Sequence, residues 1–365
     1  APLDTLSAGT RAENENIAFD LLYVTYVSPI GAFMVGYIYD GLWGNDFASS
    51  ATVQPKIVYM AQAGGLRAAA MIGKYDERNY TAINTTANAS DRDSSMYSLW
   101  AMYSWKDGRV GLIWKHVRNA AYRNYVPGVA GFLQEVHFLS PTTRVKFGPV
   151  TLEAELLYIF GKAQRWEGRT DLLPGGASYY PDVTVSQLFW DLEAKADFGK
   201  FYMGGILAYV GGDDPATADK WEGGVLDGGY EWNPCLLLFN SELTYWAGTQ
   251  SGWNATSATS YRFGANAGPM TNAYFAQLSA GVRPIDKLDV RGSVSYATAD
   301  KIPTVWAGRA YGYEVDLTAT YKLTNNLSYM LGAAYLFTGD YFKGASSANE
   351  INNNYLLINK LTLTF

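Results

Sequence analysis

Between Arg309 and Phe365 hydrophobic and polar positions alternate. Tyr313, Val315, Leu317, Ala319, Tyr321 and Leu323 share one parity, and Glu314, Asp316, Thr318, Thr320 and Lys322 share the other. Successive side chains of a strand point to opposite faces, so one face is apolar and the other charged. After Thr324-Asn325-Asn326 the pattern repeats: Leu327, Tyr329, Leu331, Ala333, Tyr335 and Phe337 stand against Ser328, Met330, Gly332 and Ala334. Leu357, Asn359, Leu361, Leu363 and Phe365 then alternate with Lys360, Thr362 and Thr364. Long antiparallel strands, apolar outside and polar inside, are the pattern of a transmembrane β-barrel.

The same period runs through most of the chain. It predicts strands over Ile17–Val27, Ile30–Asp40, Val53–Gln62, Leu66–Tyr75, Tyr97–Trp105, a return from Val110, and Phe132–Phe147 with a break at Pro141. Further strands are expected at Val150–Phe160, Val183–Ala196, Phe201–Val210, Trp221–Trp232, Leu236–Trp246, Tyr274–Val282 and Leu288–Tyr296. Gly64-Gly65 and Lys106-Asp107-Gly108 read as tight turns. Connections alternate between short (near 28, 64, 107, 148, 198, 233, 285 and 325) and long (near 46, 86, 124, 172, 216, 258, 303 and 346). A soluble sandwich has no reason to sort its loops this way, whereas bacterial barrels have short periplasmic turns and long external loops.

The fold class is therefore all-β, an antiparallel up-and-down transmembrane barrel forming one domain over 1–365. Counting back from a last strand that descends to the periplasm gives seventeen strands, so an even barrel needs one more within residues 1–12. Leu3–Arg11 would supply it, for eighteen in all. The alternative is sixteen, with Trp221–Trp232 not a strand and residues 1–16 a tail or plug.

Composition adds little to this and contradicts none of it. Hydrophobic residues make up 48% and aromatics 15%, with 28 Tyr, while mean hydropathy is only −0.10. Tyr and Trp suit a membrane–water interface. Tyr313 and Tyr321, and likewise Tyr97 and Trp105, are eight residues apart on one face. At a tilt of ~45° that is roughly 19 Å along the membrane normal, close to the spacing of two aromatic belts. No run approaches the ~20 apolar residues of a membrane helix. The start at Ala1 fits either a removed leader or a trimmed chain. Net charge is −6, and no basic cluster suggests nucleic acid. The Asn-x-Ser/Thr triplets between Asp76 and Ser94 read as a solvated loop. Cys235, the one cysteine, reads as an inert shielded thiol with no metal partner nearby in sequence.

On this pattern nearly the whole chain resembles Gram-negative outer-membrane porins and porin-like diffusion channels. The ending Leu361-Thr362-Leu363-Thr364-Phe365 looks like the signal read by the barrel-assembly machinery, Phe365 being the assembly residue and Leu363 standing where many members carry an aromatic. The resemblance implies an integral outer-membrane protein, contacts with lipid and lipopolysaccharide, a homotrimer, and ion transport through a water-filled pore.

Charged residues of the inward parity are the pore-lining candidates: Lys56, Arg67, Arg109, Lys115, Glu153, Glu155, Asp191, Glu193, Lys195, Arg291, Glu314, Asp316 and Lys322. Facing lipid each would cost up to ~2–4 kcal/mol near the midplane, so their side must be wet. They either bias permeation or pair with one another and brace the wall. An inward loop is expected to constrict the pore, drawn from Asp76–Ser94, Gly161–Asp182 or Gly211–Lys220. In the last, Asp213 and Asp214 are constriction candidates and would suit Ca²⁺, which prefers oxygen ligands. No other metal or cofactor is expected.

A barrel enzyme of the lipase or deacylase kind would need a His-x-Ser pairing. His116 is followed by Val117-Arg118 and His137 by Phe138-Leu139, so no enzyme is expected. A sheath around a partner such as an electron-transfer subunit would show the same alternation, as would a carbohydrate-specific or alginate-type export channel.

Overall fold

The computed structural model describes residues 21–39, 43–48, 53–77, 92–123, 131–167, 181–224, 226, 232–240 and 269–364. They form one sixteen-stranded sheet. Its strands are β1 (Leu22–Ser28), β2 (Gly31–Tyr39), β3 (Val53–Ala63), β4 (Leu66–Asp76), β5 (Ser94–Trp105), β6 (Gly108–Asn119), β7 (Gly131–Phe147) and β8 (Val150–Glu167). They continue as β9 (Val183–Asp197), β10 (Phe201–Val210), β11 (Lys220–Trp221), β12 (Ala273–Ile285), β13 (Leu288–Ala299), β14 (Ala310–Lys322), β15 (Leu327–Thr338) and β16 (Asn354–Leu363). Apart from β11, each strand pairs with the next along the path β1–β10 and β12–β16, with β10 beside β12. The pairs along that path are antiparallel. The two-residue β11 lies off it, parallel to β9. Among the described residues β1 and β16 are the two ends of the path.

The period-two pattern decides which way each side chain points. On β14 Tyr313 and Leu317 are 55% and 56% exposed while Glu314 is 0% and Asp316 5%. Leu331 and Leu361 are likewise bare on the outside. An apolar face this extensive is not left to water in a soluble monomer; hydrocarbon is the solvent that suits it. Short turns close the hairpins at one end. Gly64, with φ +57°, supplies the left-handed residue that the Gly64-Gly65 turn between β3 and β4 demands.

Four expectations change. Among the described residues the count is sixteen, the alternative given above, and not eighteen. Among the described residues of Trp221–Trp232, only Trp221 is in a strand, and Glu222–Gly224 are irregular. The described part of Leu236–Trp246, Leu236–Asn240, is no strand either; it folds beneath the inner face. Pro141 does not break its strand: β7 runs seventeen residues, and its pairing with β8 passes over Ser140 and Pro141, where a residue without N–H would leave a gap in the ladder. Leu3–Arg11, most of 76–94 and 161–182, and Phe365 lie outside the described residues.

Candidate functional site: the lumen and its two inward segments

Strand register lines up the inner-face charges. Arg109 on β6 faces Arg144 on β7, which faces Glu153 on β8, which faces Glu193 on β9. The Arg144 Nε lies 3.2 Å from a Glu153 carboxylate oxygen. One step along, Glu155 is opposite Asp191, both buried. The wall thus passes from bases on β6–β7 to acids on β8–β9. Acids return on β14 with Glu314 and Asp316, flanked by Arg291 on β13.

The remaining candidates also fall on the inner parity. Lys56 is buried and donates to the Ile38 carbonyl (3.3 Å). Lys115 lies 6.0 Å from the centre of the Phe138 ring, and Lys195 5.0 Å from that of Tyr202. Arg67 and Lys322 are exposed near the short turns.

Two segments fold into the interior. The first is 43–48, in the β2–β3 connection. Its Asn45 N–H donates to Glu155 Oε2 (2.9 Å), and Ser140 Oγ donates to Glu155 Oε1 (3.1 Å). Arg109 donates to the Gly44 carbonyl (3.0 Å). A Cβ at Gly44, φ +81°, would stand 2.3 Å from Glu155 Oε1, so glycine is what lets the backbone come this close.

The second is 232–240. Here the N–H groups of Leu237 and Leu238 donate to the two oxygens of Glu314 at 2.6 and 2.7 Å. Gln277 donates to the Pro234 carbonyl (2.6 Å), and the Trp232 indole donates to Glu193 (3.0 Å). One carboxyl group thus accepts both backbone N–H groups, one on each oxygen.

The segments meet where Phe47 and Trp232 pack edge to face, with centroids 5.1 Å apart. Trp232 and Phe239 continue the contact onto Phe275 and Tyr311. Beneath them Leu237, Leu238, Val210, Met270 and Leu336 are almost fully buried. The interior is therefore crossed from Glu155 on β8 to Glu314 on β14 by chain anchored at both walls.

The strand expected over Leu236–Trp246 begins in the apolar run Cys235–Phe239, which is strand-sized. The available signal was its unbroken hydrophobicity, which lacks the alternation of every lipid-facing strand. Cys235 is a shielded thiol, as expected, and burial together with the nearby Glu314 and Asp316 charges pushes it well above the ordinary thiol range. Its surroundings do contain ligating groups, contrary to the sequence reading: Glu314 and Asp316 close on it from β14.

Asp213 and Asp214 are tied up within their own loop. Asp213 accepts the Glu222 N–H (3.1 Å), and Asp214 accepts the Ala216 N–H (2.9 Å) and lies 3.5 Å from Lys301. The Ala216 N–H, aided by Lys301, holds Asp214 below the usual carboxylate range. His116 and His137 face each other across β6 and β7, rings stacked at 4.4 Å. They sit in an outward row between Tyr97 and Phe160, on the parity opposite to the lumen charges.

No family model matches the chain, and no curated protein matches it in sequence. Solved structures do resemble it. A porin refined at 1.8 Å resolution is 11% identical over 81% of this chain and 79% of its own, with a TM-score of 0.37. OccK5 (OpdH) of Pseudomonas aeruginosa is 13% identical over 96% and 83%, TM-score 0.43. OccK8 (OprE) of the same organism is 15% identical over 100% and 85%, TM-score 0.42. At these scores what the protein does has to be reasoned from its own faces and lumen.

Proposed function

We propose that the chain is an integral outer-membrane channel for passive diffusion of ions and small polar solutes. The observation that carries this is the pairing of a bare apolar outer face with an inner face bearing Arg109, Arg144, Glu153 and Glu193 side by side. Charges lining a narrow wet passage bias which solutes pass. Segments 43–48 and 232–240 form the constriction in this reading; of the loops expected from length and polarity, Asp76–Ser94 and Gly161–Asp182 lie mostly outside the described residues. Lipopolysaccharide, the assembly machinery and two further copies of the chain are the partners that the porin resemblance implies.

Purified protein in planar bilayers is expected to give stepwise ohmic conductance. An intact, correctly folded barrel that passes no current would overturn the channel reading and favour a sheath around another protein.

A further inference from the structure

The cluster that closes on Cys235 has a chemistry the channel does not use. The donor atoms of Cys235, Glu314 and Asp316 all lie within 4.8 Å of one another, and all three residues are buried. Asp316 is 5% exposed, and its Oδ1 has no hydrogen-bond partner, although its Oδ2 accepts from Ser293 (3.2 Å). A cavity of about 180 Å³ opens beside the cluster, lined by Cys235, Asp316, Arg291, Asn240 and Lys360 among others.

Two carboxylates this close and this dry cannot both carry their charge unless a cation joins them; otherwise they share a proton. We propose that Cys235, Glu314 and Asp316 bind one divalent transition-metal ion of the zinc class. A sulfur donor with two carboxylate oxygens suits a borderline-soft dication better than Mg²⁺ or Ca²⁺, which take oxygen alone. Three anionic donors around one dication leave a single negative charge, and Arg291, lining the same cavity, offsets it. The Leu237 and Leu238 N–H groups occupy one lone pair on each Glu314 oxygen and leave another free, so they become the outer support that orients a ligating carboxylate. The cavity has room for water as the fourth ligand. Tetrahedral zinc separates its donors by about 3.5 Å, so the side chains draw together by roughly an ångström on binding. The ion displaces the thiol proton, which leaves as the thiolate–metal bond forms. It would staple segment 232–240 to β14.

The test uses the full chain, folded in detergent, reduced with a non-chelating phosphine and stripped of metal. Zn²⁺ binding is counted by equilibrium dialysis, and Co²⁺ is used as a spectroscopic probe. The expected result is one ion per chain with a thiolate-to-cobalt charge-transfer band. That band should vanish in Cys235→Ser, and Zn²⁺ affinity should fall about tenfold or more in Asp316→Asn, by analogy with the loss of supporting groups. Should Cys235→Ser fail to fold, Asp316→Asn decides. No thiolate band in the wild type, or binding that Asp316→Asn leaves unchanged, overturns the site. Neither result bears on conductance, so the channel reading stands or falls separately.

Discussion

Phe47 and Trp232 touch edge to face at 5.1 Å, although one belongs to the β2–β3 connection and the other to the stretch after β11. Each segment is pinned to its own wall, by Glu155 and by Glu314. Removing the ring that joins them should open the passage. Trp232→Ala deletes a buried side chain, a change that costs about 3–5 kcal/mol in a packed core. The loss should fall on the bridge, because the strand ladders do not depend on it. Single-channel conductance is expected to rise with far-UV circular dichroism unchanged. Equal conductance in mutant and wild type would show that the bridge does not limit flow.

Glu314→Gln keeps an acceptor but replaces the second carboxylate oxygen with an NH₂ group, which cannot accept the remaining N–H. Leaving a buried N–H without its acceptor costs about 1–3 kcal/mol. Segment 232–240 should loosen by that order, and the Leu237 and Leu238 amides should exchange with deuterium roughly ten- to hundredfold faster.

The long outward stripes were legible in the sequence because a strand's side chains have a period of two and lipid accepts only one kind of face. β14, β15 and most of β16 follow from that pattern alone. The inward parity of Glu153, Glu193 and Glu314 follows from the same rule. The bridge was not legible. Segment 232–240 is apolar because it packs against other side chains inside the barrel, and hydrophobicity alone does not distinguish that setting from lipid. Nor does spacing reveal that Glu314 and Asp316 reach Cys235, since an inward-folded segment outside the strands carries the thiol to β14.

The two faces should respond oppositely to one substitution. Leu317→Lys places a charge in hydrocarbon and should destabilise by about 2–4 kcal/mol if it sits at midplane depth. Thr318→Lys, its neighbour on the inner parity, should cost far less. Urea titration in lipid vesicles compares them, and equal costs would contradict the assignment of faces.

Glu153→Lys and Glu193→Lys together reverse the sign of one stretch of lumen wall. Reversal potentials in a salt gradient should shift toward anion preference. Glu155 is left alone in this test because it holds segment 43–48, and Glu193→Gln is the control for the lost contact between Glu193 and the Trp232 indole.

The β10–β11 connection has a calculable acid response. Asp214 lies below the ordinary carboxylate range because the Ala216 N–H, and then Lys301, favour its ionised form. A depressed value means its contribution is fully present above the unfolded-chain value of about 3.9 and is lost as pH falls through the lower folded value. Protection of the Ala216 amide should therefore persist through the ordinary carboxylate range and fail only below it. In Asp214→Asn the protection should show no such acid transition.

The distance in sequence between Phe47 and Trp232 also sets an order of assembly. Residues 43–48 come early in the chain and reach Glu155 once β8 has been laid down, but the ring they lean on follows the first eleven strands. Contacts of such long span form late in folding. A half-assembled sheet would consequently lack this bridge, because its second anchor, Glu314, arrives only with β14.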